Sequence, residues 1–91
     1  LYLLDEPEAA LSPQRQIQLL GRIRQLVNQD SQFIISTHSP ILMVYPNARI
    51  LVLDHNGYTE TAYTNTGHYR LYKNFLDNPE DGIRQAFAPH P

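Results

Sequence analysis

Cysteine is absent from the 91 residues, which excludes disulfides and thiolate metal sites and agrees with a reducing, cytoplasmic setting. No apolar run approaches the roughly 20 residues of a helical membrane span, and no signal peptide is visible. A basic field is missing as well: seven Lys and Arg against nine Asp and Glu give a formal charge of -2. Only Arg22 and Arg24 stand close together, so composition does not point to nucleic acid. There is no internal repeat and no low-complexity tract. The length allows one small domain at most, burying about 60–65% of its unfolded surface. The first residue, Leu1, already lies in an apolar run with no initiator Met before it, so a piece of a longer protein is expected.

What is present begins with Leu1-Tyr2-Leu3-Leu4-Asp5-Glu6. Four apolar residues in a row predict a short strand buried on both faces, of the kind found inside a parallel sheet. Asp5 and Glu6 stand at its C-terminal end, where open α/β sheets bind ligands. There, one carboxylate can serve a metal and the other a water. Pro7 stops the strand. Ser12-Pro13 starts a helix, and Ile17, Leu19, Leu20, Ile23, Leu26 and Val27 give it an apolar face to about Asn28. Gly21 within it costs up to about 1 kcal/mol relative to Ala and marks a close approach to a neighbour.

Residues 32–36 predict a second strand, parallel to the first across a right-handed βαβ crossover. Thr37-His38-Ser39-Pro40 follows, which brings His38 to the edge that carries Asp5 and Glu6. A single short turn covers 41–44. Residues 49–53 predict a third strand, and Asn56-Gly57 a hairpin in which both turn positions favour positive φ. The returning strand covers 58–63, at an edge. After a loop at 64–67, residues 68–76 predict a second amphipathic helix closed by Asp77-Asn78-Pro79. A loose turn around 83–87 and a frayed tail complete the expectation.

These residues resemble the second half of an ABC-type ATPase head, within the P-loop NTPase class. Residues 1–6 resemble the Walker B strand with its catalytic glutamate, residues 7–12 the D-loop, and residues 34–38 the strand and switch histidine. The likeness covers about residues 1–53. Glu8-Ala9-Ala10-Leu11-Ser12-Pro13, together with His38-Ser39-Pro40, is most similar to soluble ABC-like ATPases of the AAA and chromosome-maintenance kind. Ser12 stands where the D-loop usually has Asp. The resemblance implies an α/β fold: a partial P-loop NTPase with a parallel βαβ core over 1–47, then a β-hairpin and C-terminal helix over 48–91. It implies ATP and Mg²⁺, with Asp5 ordering the metal, Glu6 activating water and His38 sensing the γ-phosphate. It also implies a second head, in a homodimer, and an effector protein or nucleic acid of unknown identity.

The phosphate loop G-x-x-x-x-G-K-[ST] is not here, because the glycines are Gly21, Gly57, Gly67 and Gly82 and the one lysine is Lys73. No Ser-Gly-Gly signature occurs either, and in the family both lie upstream. The fragment is therefore expected to be inactive alone. Two other functions stay open: a degenerate head serving as a scaffold, and a metal-dependent nuclease using Asp5 and Glu6 with Asp54 as a further carboxylate.

Several residues carry two readings. Glu8 either meets a partner head or is a solvated loop carboxylate. Thr37 and Ser39 bond phosphate or satisfy loop amides. His55, His68 and His90 show no metal-ligand spacing and are expected at the surface. Tyr63, Tyr69, Tyr72 and Phe75 are expected as core rather than as a base-stacking platform. For the sheet, the family order places the first two strands side by side, with the strand at 49–53 beyond a gap.

Overall fold

The computed structural model describes residues 1–89; the expectations for His90 and the terminal proline fall outside these residues. The order is β1 (Tyr2–Asp5), a 3-10 turn (Pro7–Ala10), α1 (Pro13–Val27), β2 (Phe33–Ser36) and α2 (Pro40–Met43), followed by β3 (Ile50–Asp54) and β4 (Gly57–Thr61). A second 3-10 turn (Tyr63–Asn65), α3 (Gly67–Asp77) and α4 (Pro79–Phe87) complete it. The architecture is mixed α/β, with a small parallel sheet and a separate antiparallel hairpin.

β1 pairs in parallel with β2, Tyr2 opposite Phe33 and Asp5 opposite Ser36. The Tyr2 and Phe33 rings stack across this register with centroids 4.7 Å apart. The sheet is not covered on both sides, in contrast to the sequence expectation. Leu4, Phe33 and Ile35 are half-buried, whereas Leu3 and Ile34 on the alternate face are exposed. A four-residue apolar run shows that a strand belongs in an interior; it does not supply the layer that makes the interior. β3 bonds only to β4, so the outer backbone edge of β2 is unpaired among the described residues.

α1 starts as its sequence dictates. Ser12 is extended, and its Oγ accepts from the Arg15 amide at 3.2 Å while Pro13 occupies the first turn. Beyond Val27 the chain reverses through Asp30 at φ 65°, and the Ser31 amide returns to the Leu26 carbonyl. Gly21 faces open space, so the close approach expected there is not made among the described residues.

The hairpin forms, but its turn differs from expectation. The register closes Asp54 against Gly57, and only Gly57 of the Asn56-Gly57 pair has positive φ, at 117°. The Asp54 carboxylate accepts from the Asn56 amide at 2.8 Å, which stabilises the turn without a left-handed Asn. Residues 79–87 are helical rather than a loose turn. Asn78 caps α4 by accepting from the Asp81 amide, with Pro79 in its first turn and Glu80 and Asp81 beside its N-terminus. Gly82 lets α4 lie against the Phe75 ring: a Cβ there would stand 2.5 Å from Cδ2.

The core lies where α2 packs against α1 and α3. Ile23 and Leu42 are the buried apolar side chains among the described residues, and Ser39 and Thr66 the buried polar ones. Tyr63 and Tyr69 pack edge to face at 5.2 Å, but Tyr63, Tyr72 and Phe75 are exposed and Tyr69 only half-buried, so these aromatics do not form the core expected of them. The radius of gyration is 15.7 Å, against about 12 Å for a compact chain of this length. These residues spread over a larger surface than they enclose.

Candidate active site

The C-terminal edge of the parallel pair gathers the residues singled out from sequence. Asp5 ends β1, exposed and opposite Ser36. The Glu6 amide adds one more rung to the ladder by donating to the Ser36 carbonyl at 2.7 Å. The chain then turns sharply, with Glu6 left-handed at φ 47° and ψ 55°. Its carbonyl accepts from the Ala9 amide at 3.1 Å and so belongs to the following 3-10 turn. Non-glycine residues rarely hold this conformation, at a cost of about 1–2 kcal/mol. Such outliers cluster at functional sites, where surrounding bonds over-determine them.

The Glu6 carboxylate reaches His38: Oε1 lies 3.3 Å from Nδ1. The imidazole is 68% exposed and the carboxylate 50%. In water an exposed pair of this kind contributes little to stability, so its importance lies in orientation.

Glu8 is neither a free loop carboxylate nor directed away from its own chain. Its Oε1 accepts from the Thr37 hydroxyl at 2.7 Å and its Oε2 from the His38 amide at 3.0 Å. Partial burial pushes the Glu8 carboxyl up. The bonds from Thr37 and the His38 amide, with the neighbouring imidazole, outweigh that and hold it below its ordinary value. Thr37 Oγ1 also accepts from the Ser39 amide at 3.0 Å. Ser39 caps α2, accepting from the Leu42 amide, and donates its hydroxyl to Gln16 Oε1. Gln16 in turn donates to the Leu11 carbonyl at 3.2 Å. Thr37 and Ser39 thus satisfy loop and side-chain groups, and the loop after β1 is tied to the loop after β2 at both ends.

His68 was expected merely at the surface. It is exposed, but its ring lies 4.7 Å from that of His38, tilted by 32°. Gln16, His68 and the intrachain role of Glu8 are what sequence reasoning missed. Thr66 ahead of a helical pattern marks where α3 begins, yet nothing local says which loop that end meets. Asp54 does not join the edge, since it holds the hairpin turn of the other sheet. No cluster of three or more His, Cys, Asp or Glu positioned to hold a metal occurs among the described residues. One exposed carboxylate fits a cation that keeps most of its waters and takes phosphate oxygens, as Mg²⁺ does; it does not fit an all-protein cage.

Residues 1–43 match the family described as the AAA ATPase domain. A curated protein of Haemophilus influenzae, described as an uncharacterized ABC transporter ATP-binding protein, is 39% identical over 54 residues. That alignment takes in 59% of this chain and 20% of the relative, so the chain spans about a fifth of the relative's length. No solved structure matches. Both matches support an ATPase family of the P-loop NTPase, ABC type, and the AAA ATPase match lies on the segment that builds this edge. Among the described residues no helix is long and apolar enough to cross a membrane.

Proposed function

We propose that this chain supplies the water-activating half of an ABC-type ATPase head. The observation that carries the reading is the Glu6–His38 contact at the C-terminal edge of a parallel strand pair, with Glu6 held left-handed by bonds on both its sides. Phosphoryl transfer requires positioning and charge stabilisation more than covalent chemistry from the protein. Mg²⁺, when bound, neutralises charge on the transferring phosphate oxygens, and Asp5 is the residue to order it, through a bound water. Glu6 orients the attacking water and takes its proton. His38 holds Glu6 in place and senses the γ-phosphate.

The phosphate loop and the signature segment would come from upstream sequence, and a second head would complete a dimer around two ATP molecules in the cytoplasm. The work driven, on a partner protein or a nucleic acid, is not encoded at this edge. The 91 residues alone are expected neither to hydrolyse ATP nor to bind it with micromolar affinity, which calorimetry reads directly.

The deciding experiment is Glu6→Gln in the complete protein. Phosphate release should fall by at least about 10²-fold, as for loss of a general base, with ATP binding retained and the ATP-bound dimer persisting. Release at the parent rate would remove Glu6 as the base and return the chain to the scaffold reading.

A further inference from the structure

The start of α3 is fixed with unusual firmness for an exposed helix. Thr66 is 4% exposed. Its hydroxyl donates to the Tyr63 carbonyl at 2.8 Å and accepts from the Tyr69 amide at 3.3 Å. The same oxygen lies 3.5 Å from Met43 Sδ, so the end of α3 is seated on α2, whose cap is Ser39. His68, two residues into the helical run, is therefore presented to the residue just before that cap. The result is the 4.7 Å pairing of the His38 and His68 rings.

His38 needs such a neighbour. Its imidazole is largely exposed, and among the described residues its ring's ionic contact is Glu6 at 3.3 Å. An exposed imidazole samples several staggered rotamers, and a change of χ1 swings the ring to a different position relative to the Glu6 carboxylate. A second ring in tilted contact narrows that choice. We propose that His68 is a positioning residue for the water-activating pair, backing the His38 ring and keeping it on Glu6. The proposal rests on the ATPase reading above and adds to it a residue from the C-terminal helices, later in the chain than residues 1–43 that match the AAA ATPase domain.

The test uses the full-length polypeptide that carries these residues, with two readouts. Without nucleotide, ¹³C-histidine NMR should show the His38 ring resonances displaced by the His68 ring current. The displacement should vanish in His68→Ala and persist in His68→Phe. With ATP, His68→Ala should lower kcat about 3- to 10-fold, the scale of an aromatic pair, with KM for ATP unchanged and most of kcat regained in His68→Phe. In a His38→Ala background, His68→Ala should have no further effect. Unmoved His38 resonances in His68→Ala, or losses that multiply in the double variant, would overturn the proposal. Failure of the ATPase reading looks different: His38→Ala and Glu6→Gln would both release phosphate at the parent rate, and the resonances alone would then decide whether His68 holds His38.

Discussion

Glu8 accepts a 2.7 Å hydrogen bond from the Thr37 hydroxyl across 29 residues of chain. With its second oxygen on the His38 amide, one carboxylate fixes both the side chain before the histidine and the histidine's own backbone. Glu8→Ala should therefore destabilise the chain by about 1–3 kcal/mol, the range for losing bonds to a charged acceptor. Glu8→Gln should cost less, since its carbonyl oxygen still serves Thr37. Urea unfolding of the three proteins gives the order.

The same carboxyl sets a pH dependence. Its folded pKa is held below the ordinary value. Its contribution to stability is thus complete above the unfolded pKa of about 4.3 and is lost as pH falls through the folded value. Unfolding midpoints should drop on acidification below roughly pH 5, and the drop should be shallower in Glu8→Gln. Equal slopes for the two proteins would assign the acid sensitivity to other carboxylates.

Glu6 offers a separation of stability from chemistry. Its left-handed backbone suits glycine, so Glu6→Gly should be neutral or stabilising by up to about 1 kcal/mol while abolishing turnover. Glu6→Val, β-branched at positive φ, should lose about 1–2 kcal/mol. Denaturation and phosphate-release assays on both variants read the two effects apart.

His38→Ala should lower turnover in the complete protein with a smaller change in ATP affinity. Asp5→Asn should instead raise the Mg²⁺ concentration needed for half-maximal turnover. A magnesium titration of each variant distinguishes the two, and an unchanged magnesium dependence in Asp5→Asn would remove Asp5 from the metal.

Much of this arrangement was legible in the chain. The apolar run before Asp5, the Ser12-Pro13 start and the run before Thr37 yield β1, α1 and β2, and a parallel pair puts Glu6 and His38 on one edge. The misses share a physical cause. Asn78-Pro79 reads equally as a stop and a start, and only the acidic residues after it favour the α4 that forms. Asn56-Gly57 signals a hairpin with positive φ at both positions, but the Asp54 side chain holds the turn with only Gly57 there. The Glu8 bonds and the His38–His68 contact depend on how loops meet across about 30 residues, which no local pattern encodes. Exposure of Leu3 and Ile34 depends on what lies over the sheet, which a strand's own residues do not specify.

Gln16 gives the edge a mechanical character. From the first turn of α1 it grips the Leu11 carbonyl at one end and the Ser39 hydroxyl at the other, while Glu8 grips Thr37 and His38. Two crossbars thus join the loops, and the stretch between Glu6 and Ser12 has little slack against the histidine loop. A push on that stretch from outside is transmitted as displacement of a braced frame, so the backbone of the histidine loop moves with it.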